Sequence, residues 1–105
     1  MQIEKSLDAE KVIDAENNFV APGFINIHIH GCNNSDTMDA TPSALKNICD
    51  YLPCSGVTGY LPTTMTMQVE KIKSALKNIS ALQKNISGAK ILGEVEHSVI
   101  FPGAT

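Results

Sequence analysis

His28 and His30, one residue apart at the end of an apolar run, are the side chains of this sequence best placed to do chemistry. In a strand, alternate residues share a face and sit about 7 Å apart along the backbone, so both imidazoles lean toward one point. Neutral imidazole nitrogens so placed suit a divalent ion. The run Pro22-Gly23-Phe24-Ile25-Asn26-Ile27-His28-Ile29-His30-Gly31 reads as a buried strand. Ile25, Ile27 and Ile29 form its other face, β-branched and apolar, as expected of a strand packed against helices. Asn26 shares the histidine face. A His-x-His pair alone is more often structural, with each ring satisfying a backbone carbonyl. What favours a site is the loop that follows, rich in Gly31, Cys32, Asn33, Asn34, Ser35 and Asp36. Strands that deliver polar groups from their C-terminal ends into such loops are how α/β barrels build active sites.

The composition narrows the partners. The chain has 105 residues, 43% of them hydrophobic and only 5% aromatic, which supports an aliphatic core in one domain or part of one. Lys and Arg number 8 against 11 Asp and Glu, and the basic residues are scattered, which argues against a nucleic-acid partner. No run approaches the roughly 20 apolar residues of a membrane span. The opening Met1-Gln2-Ile3-Glu4-Lys5 runs into charge with no hydrophobic stretch, so a cytoplasmic location is expected. Cys32, Cys49 and Cys54 have no metal-knuckle spacing and should stay reduced there, with Cys32 read as a half-buried thiol. Asn-x-Ser triplets at Asn33, Asn78 and Asn85 are read as accidental.

The elements that must carry the histidines follow from periodicity. Lys11 to Ala15 and Phe19 to Ala21 read as two short strands around a turn at Glu16-Asn17-Asn18. Thr41-Pro42 supplies an N-cap and a proline at the first helical position. Leu45, Ile48, Cys49 and Leu52 then recur at helical spacing, predicting a helix from about Pro42 to Leu52. Val57 to Leu61 reads as a second strand. A longer amphipathic helix is expected from about Gln68 to Lys84, with Val69, Ile72, Ala75, Leu76, Ile79 and Leu82 inward. Ala89 to Val95 reads as a third strand. The order hairpin, β, α, β, α, β predicts consecutive βαβ units with parallel strands. Three strands cannot close a barrel, which takes about 250 residues, so sheet edges and one apolar face should be left uncovered.

Val12-Ile13-Asp14-Ala15, the Val20 to Gly31 run, Asp36-Thr37-Met38-Asp39-Ala40, Gly56-Val57-Thr58 and Leu61-Pro62-Thr63-Thr64-Met65-Thr66 together resemble the opening of N-acetylglucosamine-6-phosphate deacetylases, members of the amidohydrolase superfamily. The resemblance covers about Val12 to Gly93 and about a quarter of a full-length member. It implies a partial TIM-type (β/α) barrel of about three parallel strands and two helices. Residues 1–21 would be a short hairpin remnant of the small β-domain, and 22–105 the first, incomplete βα units of the barrel. It also implies a metal-dependent hydrolase of amino-sugar catabolism, converting N-acetylglucosamine 6-phosphate to glucosamine 6-phosphate and acetate. A metal-activated hydroxide would attack, the metal would polarise the amide carbonyl, and a later aspartate would pass the proton to the departing amine. His28 and His30 would correspond to ligands of a divalent metal, zinc or iron, and Thr63 and Thr64 would lie near the site mouth. Some members replace the histidine pair and work with one metal at the other position.

Two departures bear on activity. Members usually carry Asp where this chain has Asn26, so an amide replaces a carboxylate that would orient a ligand. After Ile91-Leu92-Gly93 the family continues into a His-Leu-Glu-Gly-Pro-Phe-like segment whose glutamate binds the catalytic metal, whereas this chain reads Glu94-Val95-Glu96-His97. His97 falls at the glutamate's place, and Glu94 and Glu96 should face the helical layer, where charge is costly. The family's later histidines and catalytic aspartate have no counterpart in these residues. The expectations are therefore a truncated, inactive chain with no catalytic residue of its own; one half of a split hydrolase needing a missing barrel half or a homo-oligomer; or a non-enzymatic metal-binding remnant of the fold.

Overall fold

Residues 8–96 are described by the computed structural model of the chain. Within them, strand β1 spans Phe24–Ile29, and β2 (Gly31–Cys32) pairs antiparallel with β3 (Ser35–Asp36). A 3₁₀ turn over Thr37–Asp39 leads to helix α1 (Pro42–Tyr51), and another over Leu52–Ser55 leads to β4 (Val57–Pro62). Helix α2 (Val69–Leu82) and the short β5 (Lys90–Ile91) follow. The main sheet has the order β1-β4-β5, and both pairings are parallel. The expected βαβαβ alternation is therefore present, with three parallel strands and two helices.

Each helix begins and ends for a local reason. Thr41 is extended (φ −119°), its hydroxyl accepts from the Ala44 N–H, and Pro42 fills a first-turn position that has no use for an N–H. The apolar stripe Ala44, Leu45, Ile48 and Cys49 then faces inward. Pro53 cannot continue the α-helix, and Gly56 at φ 79° closes the 3₁₀ turn in the left-handed region. Helix α2 buries Ile72, Ala75 and Ile79, and its Asn78 side chain donates to the Thr41 carbonyl at 2.9 Å, tying it to the start of α1.

These stripes close on one face of the sheet. Leu45, Ile48, Cys49, Leu52, Tyr60, Ile79, Ala89 and Ile91 form the core, with Ile29, Val57 and Leu76 packed against it. Tyr60 is fully buried, and its hydroxyl lies 3.3 Å from the Cys49 sulfur, the polar contact available to it inside an aliphatic core. Gly88, at φ 91°, lets the chain turn hard against α1, where a Cβ would strike the Cys49 carbonyl; the neighbouring Ala89 N–H donates to that same oxygen at 2.8 Å.

Four expectations change. The segments flanking Glu16 form a turn, with Asn18 N–H to Ala15 O at 2.8 Å, but Lys11 to Ala15 and Phe19 to Ala21 are in no strand. Two short apolar strands with no third element to pack on lack the burial that sustains a hairpin. β1 is an edge strand and not a buried one: Ile29 meets the core, while Ile25 and Ile27 are exposed because β4 is its sole strand neighbour among the described residues. The third strand shortens to Lys90–Ile91, and Val95 returns as an isolated bridge to Thr63. Glu94 and Glu96 are exposed, which spares the cost of charge against the helices.

Burial raises the proton affinity of Tyr60 strongly, and of Cys49 as well, where the Tyr60 hydrogen bond only partly opposes desolvation. The folded chain thus holds these protons to higher pH than the unfolded one. The stability they supply is complete below the ordinary thiol value of 9.0 and falls as pH climbs through and past it. The stability read by urea unfolding should therefore fall as pH climbs past the ordinary thiol value of 9.0. Tyr60→Phe should lose about 1 kcal/mol at pH 7 and soften the alkaline fall. Gly88→Ala should cost more than about 1 kcal/mol in the same measurement, since both the left-handed backbone and the Cys49 carbonyl oppose a side chain there.

Candidate functional site

The end of β1 is fastened to the end of β4 through one residue. The Thr63 N–H donates to the Ile29 carbonyl at 2.9 Å, and the Thr63 hydroxyl accepts from the Ile29 N–H at 3.1 Å. The Thr63 carbonyl lies 3.0 Å from Nδ1 of His30. A carbonyl can only accept, so Nδ1 carries the hydrogen, and in the neutral ring the lone pair resides on Nε2. Sequence reasoning placed Thr63 near the site mouth but missed that it orients His30. The partners are 33 residues apart, and no local pattern announces such a contact.

The two imidazoles come together as their parity in the strand implies. Their centroids are 5.2 Å apart and the rings meet edge to face, with an interplanar angle of 84°. His28 is exposed and His30 half-buried. The Asn26 side-chain oxygen accepts from the His28 backbone N–H at 3.1 Å, beside the register shift in the pairing with β4. The arrangement sets two imidazole rings side by side at the C-terminal end of a strand. Among the described residues no group of three or more His, Cys, Asp and Glu is assembled to hold a metal. His97 lies outside the described residues.

The loop after the histidines has more structure than its composition suggests. Asn33 and Asn34 both adopt positive φ, 50° and 59°, and reverse the chain between β2 and β3. Consecutive asparagines are the signal for such a turn, since their side chains tolerate the left-handed region. The hairpin is locked to α1 by Asn47, whose amide donates to the Asn33 carbonyl at 2.7 Å and the Ser35 hydroxyl at 2.8 Å. Asp36 and Asp39 then cap the 3₁₀ turn reciprocally. Cys32 packs against the core, and burial raises its pKa. Thr64 is buried, its hydroxyl 3.5 Å from the Val95 carbonyl. An open hollow of about 530 Å³ lies apart from the histidines, between Met38 and Asp39 on one side and Met65, Met67 and Glu70 on the other. Among the described residues no helix is long and apolar enough to cross a membrane.

No family model matches the chain. It is similar to curated N-acetylglucosamine-6-phosphate deacetylases of Vibrio furnissii, 40% identical over 73 residues, and Bacillus subtilis, 42% identical over 76 residues. Each match takes in 69% of this chain, and 18% and 19% of those proteins. It is also 37% identical over 81 residues to an N-acetylgalactosamine-6-phosphate deacetylase of Escherichia coli, covering 76% of this chain and 21% of that protein. The chain thus spans about a fifth of the length of the curated relatives it matches. With this identity carried by about two thirds of its own residues, the chain belongs to the N-acetylglucosamine-6-phosphate deacetylase family as a stretch of a longer pattern.

Proposed function

We propose that residues 22–105 provide the first βα units of an amidohydrolase barrel, preceded by a remnant of a small β-domain over 1–21, and that their part in the chemistry is to present His28 and His30 to a divalent metal. The reaction is removal of the acetyl group from an N-acetylated amino-sugar 6-phosphate. The observation that carries the reading is the histidine pair at the C-terminal end of β1, 5.2 Å between ring centres, in a chain related to deacetylases. The donor set fits such an ion in kind: Thr63 fixes the His30 tautomer through a backbone carbonyl, the usual way a ligating imidazole is oriented. It fits only partly in number, since catalytic zinc sites take three protein ligands.

A zinc or iron ion bound there would supply Lewis acidity toward the amide carbonyl. This chain's own residues hold and aim. Thr63 keeps the Nδ1 hydrogen of His30 engaged, which leaves Nε2 as the acceptor nitrogen of the neutral ring. Asn26 sets the backbone at His28. The Asn47 bracket holds the following loop against α1, leaving the strand end open. No described residue is assigned as general acid or base, so the 105-residue chain is read as inactive alone and completed by the remaining barrel units.

The purified chain, assayed with Zn²⁺ or Fe²⁺ against N-acetylglucosamine 6-phosphate and its galactosamine epimer, should show no turnover above a metal-only control. Turnover that His28→Ala abolishes would overturn the inactive reading, and the faster epimer would then identify the substrate. Zn²⁺ binding followed by calorimetry should weaken about tenfold or more in His28→Ala and in His30→Ala. Unchanged binding in both variants would remove the metal role. Thr63→Val should also weaken binding while leaving both histidines in place, because the Ile29 N–H loses its acceptor and the strand end shifts.

A further inference from the structure

We propose that Asn47, on helix α1, is a positioning residue for His30: acting through the β2–β3 hairpin, it holds the His30 imidazole in the orientation that the metal site uses. The proposal rests on the metal reading of the histidine pair and adds to it a residue from the helix that follows. The hairpin is a ladder that returns to the histidine it leaves. Gly31 pairs with Asp36 and Cys32 with Ser35, and the Thr37 N–H then donates to the His30 carbonyl at 2.7 Å. His30 is therefore held from both sides. Thr63 engages the Ile29 N–H and carbonyl just before it and accepts from its ring, while Thr37 takes its own carbonyl. With the peptide groups on either side fixed, the two soft dihedrals of His30 have little room, and the direction in which its ring projects is fixed with them.

That ladder is too short to hold itself. Each strand has two residues, and an isolated two-stranded hairpin is at best marginal in water. Asn47 supplies the tie at the tip: Asn33 Nδ2 donates to its Oδ1 at 2.9 Å, and its Nδ2 donates to the Asn33 carbonyl at 2.7 Å and the Ser35 hydroxyl at 2.8 Å. The next residues of the helix, Ile48 and Cys49, are fully buried in the core, so the tie is made to a fixed point. Gly31 lets the ladder close, since a Cβ there would strike the Ser35 carbonyl. The other end has no comparable polar hold. The Thr37 hydroxyl is buried without a hydrogen-bond partner among the described residues, and the Asp36–Asp39 cap is internal to the 3₁₀ turn. Loosening the tip should therefore reach the Thr37–His30 bond, and through it the ring.

The test is nitrogen NMR of the imidazole rings and amide exchange in the full 105-residue chain at about pH 8, where an ordinary imidazole is neutral, beside calorimetry with Zn²⁺ alone. The wild-type His30 ring should carry its hydrogen on Nδ1. In Asn47→Ala the Thr37 amide should exchange about tenfold faster or more, and the His30 signals should move toward a mixture of tautomers. Zn²⁺ binding should weaken about tenfold, the low end for loss of a group that orients a ligand. Ser35→Ala removes one of the three bonds and should fall between; it carries the test if Asn47→Ala does not fold. Asn78→Ala cuts a polar tie to the start of the same helix, at the Thr41 carbonyl, and should leave all three readouts unchanged. If the wild-type chain binds no Zn²⁺ the metal reading fails, and exchange and tautomer alone decide the role of Asn47. A wild-type ring with its hydrogen on Nε2, unchanged exchange and ring signals in the hairpin variants, or equal changes in Asn78→Ala would overturn the proposal. So would an undiminished Zn²⁺ affinity in Asn47→Ala when both histidine variants lower it.

Discussion

The triple engagement of Thr63 with Ile29 and His30 is the constraint on which the rest of the molecule turns. It joins the ends of two parallel strands by a backbone bond, a hydroxyl bond and a ring contact, all within about a hydrogen-bond length of one residue. Parallel strands cannot be joined by a tight turn, so their relative placement rests on the crossover helix and on contacts of this sort. Here the contact also sets which nitrogen of His30 carries the hydrogen. Sheet register and ring chemistry are therefore consequences of the same buried threonine.

The helical side of the sheet supports that placement. Leu45, Ile48 and Ile79 close over Tyr60, whose hydroxyl finds the Cys49 sulfur and so does not sit unsatisfied among aliphatic groups. Gly88 allows the return from α2 to run close to α1, and Ala89 pins it there through the Cys49 carbonyl. Beyond Ile29 this cover stops, and Ile25 and Ile27 are exposed.

What the sequence made legible tracks how local the signal was. Helix α1 was readable because Thr41, Pro42 and a four-residue stripe agree within one short segment, and the observed Pro42–Tyr51 follows that pattern. Helix α2 was readable from its period, and the histidine pair from the parity of a strand. The first hairpin was misread because alternating apolar residues such as Val12 and Phe19 specify a strand only when something covers them. The β2–β3 hairpin escaped notice as a polar loop, although Asn33-Asn34 carried the turn chemistry. The buried character assigned to β1 failed because periodicity reports which face is apolar and not whether a neighbour exists to cover it. The role of Thr63 depends on a contact across 33 residues, beyond any window of local reasoning.

The bracket from Asn47 to the Asn33–Ser35 hairpin has a kinetic meaning. A segment crossing from the histidine strand to its helix is commonly the slack part of such a unit, free to reorganise on the microsecond scale. Here three amide contacts have already immobilised it, so the loss of backbone freedom is incurred once, while the chain folds, and not again with every encounter. A molecule arriving at this end would meet a fixed doorway, with nothing in that stretch to swing shut behind it.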